Sequence, residues 1–372
     1  MSILESASTI LTVNIDAIRH NYRLLCHKLE KGAKCAAAVK ANAYGLGIKK
    51  IVSALTAEGC NEYFVAQVEE GIFLRELFPE IKIYILNGAL TKTEKLLENY
   101  KLTPVLNDPG QINRWNALAS SLGRPLSAAI HVDTGINRLG LTPIQFKEFA
   151  SNTHPALLFE ITLCLSHLAC ADEPNNPKNK QQLKSFIEMR RKFPFGRASF
   201  ANSSGIFLGK NYHFDLCRPG IALYGGNPTP YISNPMKPVV RLQGRMLQIR
   251  TLDKHETVGY GATYSLKKHS RVGTVATGYA DGYLRSNVGK RKIHISGFEA
   301  PIIGRISMDM ITVDLSELPE HVIHPGMLVD LIWDDWTIDD LANTANTISN
   351  EILTALGERI TRVYQETGYA RM

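Results

Sequence analysis

A chain of 372 residues exceeds the length of one ordinary domain and suits two. Its hydrophobic fraction of 44% and charged fraction of 21% are typical of a globular protein and exclude a disordered one. The net charge of +7 is spread along the chain in short basic groups, without the aromatic or zinc-finger patterns of nucleic-acid binders, so we expect no nucleic-acid partner.

The lack of targeting signals and the spacing of the cysteines favour a cytoplasmic protein. No apolar run reaches the roughly 18 residues of a membrane span, and the N-terminal residues lack a basic leader, so we expect neither a membrane partner nor a signal peptide. The six cysteines form no CxxC pair and lie mostly within apolar runs. They are expected to be reduced thiols, and we predict no metal site.

Eight β-like segments alternate with amphipathic helical segments in the first part of the chain. Strict alternation predicts a parallel sheet, and eight units predict closure into a TIM-like (β/α)8 barrel. An open doubly wound sheet is the alternative. The predicted strands cover residues 35–40, 63–67, 82–86, 103–107, 127–133, 161–167, 198–202 and 220–225.

The sequence pattern changes after a segment rich in Pro, Gly and Asn at residues 225–235. From Val239 onward, short β-like runs broken by turns predict a mostly antiparallel β domain with a single helix near residues 347–360. The fold class is therefore α/β, with a barrel domain at 10–235 and a β domain at 236–372 that includes residues 1–9. In such a barrel the chemistry belongs at the carboxyl ends of the strands.

Lys40 is the first candidate for chemistry because it ends the apolar strand CAAAVK. A lysine at a barrel mouth can form a Schiff base, since partial burial lowers the pKa of its ammonium group. The alternative is a strand-end lysine that extends into solvent.

Other polar residues follow the same strand-end logic. Singly, each is explained by an ordinary hydrogen-bonding role, and His167 by a buried core histidine. Together they describe a pocket for an anionic aromatic ligand. They are Tyr44 with Gly45 and Gly47, Arg138, His167, Asn202 with Ser203, and Arg218 before the Pro219–Gly220 turn. In the β domain, Tyr260 and Tyr264 would share one strand face, where sheet-packing aromatics are the alternative.

Seven motifs in order give this chain a family resemblance that covers essentially its whole length. The chain resembles the alanine racemases, enzymes that depend on pyridoxal 5′-phosphate. The motifs are AVKANAYGLG (38–47), DTGINRLG (133–140), SHLACAD (166–172), RPGIALYG (218–225), VGYGATY (258–264), GYADGY (278–283) and GRISMDM (304–310).

The resemblance implies a homodimer whose two active sites each combine one subunit's barrel with the other's β domain. It implies that Lys40 binds the cofactor and that Tyr260 enters from the partner chain. It assigns the cofactor phosphate to Tyr44, Ser203 and the amides of Gly220 and Ile221, the cofactor ring to His167 and the pyridine nitrogen to Arg218. It assigns substrate binding to Arg138 and the Met308 amide. It assigns an entry gate to Asp172, Tyr279, Arg285 and Arg305.

The implied reaction interconverts L- and D-alanine and would supply D-alanine for peptidoglycan. It needs one proton removed and another returned on opposite faces of a planar intermediate, and Lys40 and Tyr260 are the available pair. A tyrosine of ordinary pKa about 10 is a poor base at neutral pH. Nearby positive charge must assist it, and His167 and the arginines are the candidates.

Several positions depart from the family pattern. Leu46 stands where histidine is usual, and Asn137 where many members have glycine. His131 stands where some members carry a carbamylated lysine, so we predict no carbamate. The last phosphate-binding tyrosine of the family matches Glu358 rather than Tyr364.

Two alternative enzymes share this plan. A basic-amino-acid decarboxylase would have the same lysine, barrel and β domain, but is usually longer and uses a cysteine near its C-terminus. This chain has none after Cys217. A broad-specificity or serine-preferring racemase is harder to separate, because substrate range depends on the shape of the gate.

Overall fold

The computed structural model describes residues 6–152, 157–286 and 291–366. Nine right-handed α-helices lie within these ranges: α1 (Ile15–Lys28), α2 (Ile48–Ala57), α3 (Val68–Leu77), α4 (Glu94–Asn99), α5 (Pro109–Leu122), α6 (Pro143–Asn152), α7 (Pro177–Lys192), α8 (Ile338–Ala345) and α9 (Ser349–Ala355). No helix among the described residues is long and apolar enough to cross a membrane.

The strands fall into two large sheets and two short pairs. They are β1 (Thr9–Asn14), β2 (Lys34–Cys35), β3 (Ala37–Ala38), β4 (Glu62–Val65), β5 (Lys82–Ile85), β6 (Thr103–Leu106), β7 (Leu126–His131), β8 (Phe159–Leu165), β9 (Arg197–Ser199), β10 (Leu216–Cys217), β11 (Val240–Leu252), β12 (Thr257–Val258), β13 (Tyr264–Ser265), β14 (Ser270–Val275), β15 (Lys292–Ile295), β16 (Phe298–Ile303), β17 (Ile311–Asp314), β18 (Leu328–Ile332) and β19 (Thr361–Gln365).

The first large sheet is the predicted parallel barrel. Strands β3 to β9 pair in chain order, and β10 pairs in parallel with β2. Backbone bonds close the ring on both sides of β10, because the Ala38 amide donates to the Pro219 carbonyl and the Arg218 amide to the Ala201 carbonyl, each at 2.9 Å. The (β/α)8 prediction is confirmed, and the open doubly wound alternative is wrong.

Local sequence explains where the barrel helices begin. Asp108 caps α5 by accepting the Gln111 amide, and Asn176 caps α7 by accepting the Lys178 amide. In both helices proline follows the cap, where its missing N–H costs nothing. These caps satisfy free amides in the first turn of each helix and so define where it begins.

The second large sheet is mostly antiparallel, as predicted. Six of its strands form a ring in the order β14-β17-β16-β15-β18-β11, since β14 also pairs with β11. Strand β1 adds to β11, and β19 pairs in parallel with β1. The predicted start of the barrel domain, residue 10, thus lies inside a strand of the second sheet. The division into 10–235 and 236–372 itself stays a prediction.

Tyr260 and Tyr264 do not share a strand face as predicted, because Tyr260 begins a 3-10 turn (Tyr260–Ala262) and only Tyr264 lies in a strand.

Two further predicted elements need correction. Residues 220–225 are not the eighth strand: Ile221–Tyr224 is a 3-10 helix, and Leu216–Cys217 is the strand. The chain turns here because the Ser203 hydroxyl accepts the amides of Gly220 and Ala222, which a strand would offer to a neighbour. The C-terminal part has two helices, α8 and α9, instead of one, and α8 begins with a capping box between Thr337 and Asp340.

Phe186 holds helix α7 against the barrel and gives the first prediction. Its ring is fully buried, stacked on Phe200 at 4.9 Å and edge-on to Phe214 at 5.0 Å. Phe186→Ala should lower the free energy of unfolding by about 3–5 kcal/mol in urea denaturation at fixed protein concentration. Ile144→Ala is the control, since that side chain is 73% exposed and should change stability by less than about 0.5 kcal/mol. Equal effects of the two changes would contradict this account of the core.

Candidate functional site

A cavity of about 820 Å³ opens at the carboxyl ends of the barrel strands. Its size suits a cofactor together with a small substrate. Helices α8 and α9 of the same chain form its other wall, which the sequence did not predict. Ten of the predicted site residues line it: Lys40, Tyr44, Arg138, His167, Asp172, Asn202, Ser203, Arg218, Gly220 and Ile221.

A second cavity, of about 970 Å³, lies at the opposite end of the barrel. It is larger, but it surrounds the amino ends of the strands, where barrel enzymes do not place their chemistry. Its buried Glu62 is paired with Arg197 through two hydrogen bonds and with the Tyr84 hydroxyl. This arrangement is that of a stabilising ion pair, so we place the candidate site at the first cavity.

Lys40 begins an unusual backbone segment. The next four residues, Ala41 to Tyr44, have φ between 52° and 56°, a left-handed turn formed without glycine. Although part of the Lys40 side chain is open to the cavity, burial lowers the pKa of its ammonium group, and the Arg138 charge lowers it further while Glu70 opposes the change. The lowered pKa favours the neutral amine that a covalent bond to a carbonyl compound requires.

The other end of the turn faces a small anion cradle. The Ser203 hydroxyl lies 2.9 Å from the Gly220 amide and 3.2 Å from that of Ala222. A Cβ on Gly220 would come within 2.2 Å of the Tyr44 hydroxyl, so only glycine allows this approach. Burial raises the pKa of Tyr44 to about 12, which keeps its hydroxyl a donor. Two hydroxyls and neighbouring amides therefore suit a phosphate.

Arg218 supplies a fixed positive charge to the cavity. It is buried and donates to the Ser166 carbonyl at 2.7 Å and to the Ser199 hydroxyl. Burial lowers the pKa of Arg218 to about 10, which still leaves the guanidinium charged at neutral pH. Its guanidinium carbon lies 5.8 Å from the centre of the Phe64 ring, which helps to hold its orientation.

Two histidines beside the arginines are neutral. Burial, followed by the charge of Arg218, lowers the pKa of His167 to about 3. His167 therefore cannot supply the positive charge expected of it from the sequence, and only the arginines remain for that role. Burial likewise lowers the pKa of His131 to about 4, again with Arg218 as the next cause.

His131 has a defined hydrogen-bonding state. Its Nδ1 lies 2.8 Å from Oδ1 of Asn107, whose amide group donates to the carbonyls of Leu86 and Val105. The oxygen of Asn107 must therefore accept, and Nδ1 of His131 carries the proton. Its Nε2 is buried without a partner among the described residues. A buried unpaired acceptor on the cavity wall is what a site for a donor ligand would contain.

The loop that carries Arg138 is held by Asp133. The Asp133 carboxylate accepts the amides of Gly135 at 2.8 Å, Ile136 at 3.0 Å and Asn137 at 3.1 Å. Asn137, one of the departures, adopts φ of 56°, a conformation that asparagine tolerates and glycine prefers. The substitution thus preserves the loop, and Arg138 stays exposed at the cavity.

The other predicted residues lie outside the cavity, on the second domain. Tyr260 is 67% exposed and Met308 is 53% exposed. The Ala280 amide, next to Tyr279, donates to the Met308 carbonyl at 2.9 Å, and Arg305 lies against Gly261. We call this group, with Arg285, the distal group. No member of the distal group lines the cavity that contains Lys40 of the same chain.

The C-terminal departures have clear places in the structure. Glu358 is exposed and outside the cavity, whereas its neighbour Arg359 binds the buried Asp281 at 2.7 Å and Asp309 at 2.7 Å. The Tyr364 hydroxyl donates to the Leu46 carbonyl at 3.0 Å and also lies outside the cavity. Leu46 is fully buried, which agrees with a packing role at that departure.

These features define a class of protein: a barrel enzyme that binds a phosphorylated carbonyl compound. Lys40 can form the covalent bond to its carbonyl carbon, and the Ser203–Gly220 cradle and the buried Arg218 can bind its polar groups. The alanine racemase N-terminal domain model matches residues 13–228, and the C-terminal domain model matches residues 239–364. The chain belongs to the alanine racemase family.

Curated and solved relatives agree with this membership. An alanine racemase of Rhodospirillum rubrum is 46% identical over 97% of this chain and 96% of its own length, and a catabolic alanine racemase of Mesorhizobium japonicum is 44% identical over 96% and 94%. The crystal structure of alanine racemase from Bartonella henselae, with covalently bound pyridoxal phosphate, is 39% identical with a TM-score of 0.92, over 96% of this chain and 100% of that one. The biosynthetic alanine racemase of Pseudomonas aeruginosa is 34% identical with a TM-score of 0.90, over 97% and 100%.

The neutral histidines give a prediction on pH. A histidine with a folded pKa of about 4 binds fewer protons in the folded than in the unfolded state, where its pKa is about 6.5. The free energy of unfolding should therefore fall as the pH drops from 6.5 to 4. In His131→Gln this slope should be shallower by up to about 1.4 kcal/mol per pH unit in urea titrations. The exposed His27, changed to Gln, is the control. An unchanged slope in His131→Gln would show that His131 is protonated when folded.

Proposed function

We propose that this chain is a pyridoxal 5′-phosphate-dependent alanine racemase that interconverts L- and D-alanine by a two-base mechanism. The observation that carries the proposal is the juxtaposition, in one cavity, of the Lys40 amine, the Ser203–Gly220 cradle and the charged Arg218. Membership of the alanine racemase family supports the substrate.

The residues of the cavity match the parts of this cofactor. Lys40 would provide the covalent bond, and Tyr44, Ser203 and the amides of Gly220 and Ile221 would hold the phosphate. The neutral His167 would lie beside the ring, and Arg218 would face the pyridine nitrogen. When bound, the cofactor would delocalise the negative charge that forms at Cα of the substrate. Because an arginine keeps its proton, Arg218 would leave the ring nitrogen unprotonated, which would limit that delocalisation and restrain side reactions.

Substrate binding and proton transfer each need residues from both the cavity and the distal group. Arg138 binds near the carboxylate, and the Met308 amide assists. Lys40, with its lowered pKa, exchanges a proton with D-alanine on one face. Tyr260 exchanges a proton with L-alanine on the opposite face, and the charges of Arg138 and Arg218 favour its ionised form.

Because the distal group does not line the cavity of its own chain, we propose that it enters the cavity of a second copy and that the active enzyme is a homodimer with shared sites. Five exposed apolar side chains belong to that group or lie next to it in the sequence, and they support an interface there: Tyr260, Tyr264, Tyr279, Met308 and Met310. In the dimer, Asp172 of one chain and the Tyr279, Arg285 and Arg305 positions of the other form a narrow gate that favours alanine over larger amino acids. Sequence features favour a cytoplasmic location.

The physiological direction depends on which enantiomer is consumed. A racemase equilibrates two substrates of equal free energy, so flux follows removal of one of them. We propose that D-alanine leaves this equilibrium for peptidoglycan.

The two-base assignment predicts asymmetric isotope exchange. Wild type should exchange the Cα hydrogen of both alanine enantiomers for solvent deuterium. Tyr260→Phe should exchange D-alanine through Lys40 but lose exchange of L-alanine by about 10²–10⁴-fold, the size of a general-base contribution. Tyr264→Phe is the matched control and should keep both exchanges. If wild type bound the cofactor but exchanged neither enantiomer, alanine would be the wrong substrate, and serine would be tested next.

Shared sites predict complementation between two inactive variants. A hybrid dimer of Lys40→Ala and Tyr260→Phe chains contains one intact site and one site lacking both bases. Random mixing by refolding or co-expression should therefore restore about a quarter of wild-type activity, because half of the two-fold dimers are hybrids with one working site each. Mixtures that stay as inactive as the separate variants would place both bases within one chain.

A further inference from the structure

The left-handed turn after Lys40 requires external support. L-residues disfavour this conformation, and four in succession persist only where the surroundings fix them. Part of the support is internal: the Gly45 amide donates to the Ala41 carbonyl at 2.7 Å, and the Gly47 amide to the Asn42 carbonyl at 3.0 Å. These bonds order the turn but do not determine where it lies relative to the cavity.

Two side chains of β19 bind the carbonyls at the end of this turn. Arg362 Nε donates to the Gly45 carbonyl at 2.9 Å, and the Tyr364 hydroxyl donates to the Leu46 carbonyl at 3.0 Å. The two residues lie two positions apart on one strand and pair in register with Leu11 and Val13 of β1. They therefore point to the same face, and the C-terminal sheet anchors both.

The remaining donors of Arg362 fix its own position. They bond the carbonyls of Leu356, Gly357 and Ile360, in the segment between α9 and β19. A Cβ on Gly47 would come within 2.0 Å of the Tyr364 hydroxyl, and one on Gly45 within 2.7 Å of the Leu353 carbonyl. The end of the turn is thus pressed against the C-terminal segment at two glycines.

We infer that Arg362 and Tyr364 are positioning residues that hold the left-handed turn, and with it Lys40 and Tyr44, in the geometry that binds the cofactor. This inference rests on the proposed function. Neither side chain lines the cavity, so each acts through the backbone. Without these bonds the turn of the cofactor-free protein relaxes to less strained conformations. The apparent affinity for the cofactor then falls in proportion to the fraction of molecules that keep the cofactor-binding geometry.

The test measures cofactor affinity and stability separately. Tyr364→Phe, Arg362→Lys and Arg362→Gln are titrated with pyridoxal 5′-phosphate after its removal, using the absorbance of the lysine-bound cofactor. Matched controls are Tyr22→Phe, which loses a hydroxyl bond to the Cys35 carbonyl, and Arg75→Gln, whose guanidinium likewise bonds only backbone carbonyls. Thermal melting of each cofactor-free protein reports general stability, and hydrogen exchange reports residues 41–47.

We expect about fivefold weaker cofactor binding in Tyr364→Phe, the equivalent of one lost hydrogen bond, and about tenfold or more in Arg362→Gln, with Arg362→Lys between wild type and Gln. Exchange at 41–47 should accelerate in the cofactor-free variants and return to the wild-type rate with cofactor. The controls should lower the melting temperature but leave affinity within twofold. If Tyr364→Phe and Arg362→Gln bind the cofactor as the controls do, the inference is wrong while the proposed function stands. If wild type itself takes up no cofactor, the proposed function is wrong and the inference falls with it.

Discussion

The segment Lys40–Tyr44 sets the constraint on which the site depends. Four left-handed residues cost roughly 1–2 kcal/mol each, so the turn exists only because its surroundings compensate for several kcal/mol of strain. An ordinary right-handed turn would direct the chain elsewhere after β3. The left-handed one instead keeps Lys40 and Tyr44 on one cavity wall, separated by a single turn. Both domains contribute to it, since Glu70 of α3 accepts the Ala41 amide and β19 binds Gly45 and Leu46.

Positive charge organises the rest of the cavity. Arg218 and Arg138 each help to lower the pKa of His131 and of His167, and Arg138 also helps to lower that of Lys40. The histidines are then neutral packing and hydrogen-bonding groups, while the arginines attract a phosphate and a carboxylate. An excess of fixed positive charge over acidic groups suits a ligand with several anionic parts. The same positive charge would also favour the ionised form of a tyrosine that enters the cavity and lies beside the arginines.

The sequence predicted the architecture because regular alternation is a strong signal. Strand-end reasoning also selected eight residues that line the cavity, Asn202 among them, since parallel strands in a barrel share one carboxyl edge. It failed at residues 220–225, where a short apolar run serves equally for a strand or a tight helix. It missed the α8 wall, although the Thr337–Asp340 capping box was a readable signal. The left-handed turn could not be foreseen, because only Asn42 of its four residues belongs to a type that favours positive φ, whereas alanine and tyrosine give no such sign.

The distal group shows the limit of reasoning from one chain. Tyr260 and Met308 are exposed and do not line the Lys40 cavity of the same chain. Bulky apolar side chains gathered at such a surface are costly in a monomer and suit a contact with another molecule. A two-fold contact would bury them and complete two sites at once, since what one chain lacks the other presents. Catalysis would then require two chains to associate. The cavity of a monomer would lack the second base, Tyr260, which would be added only when the dimer forms.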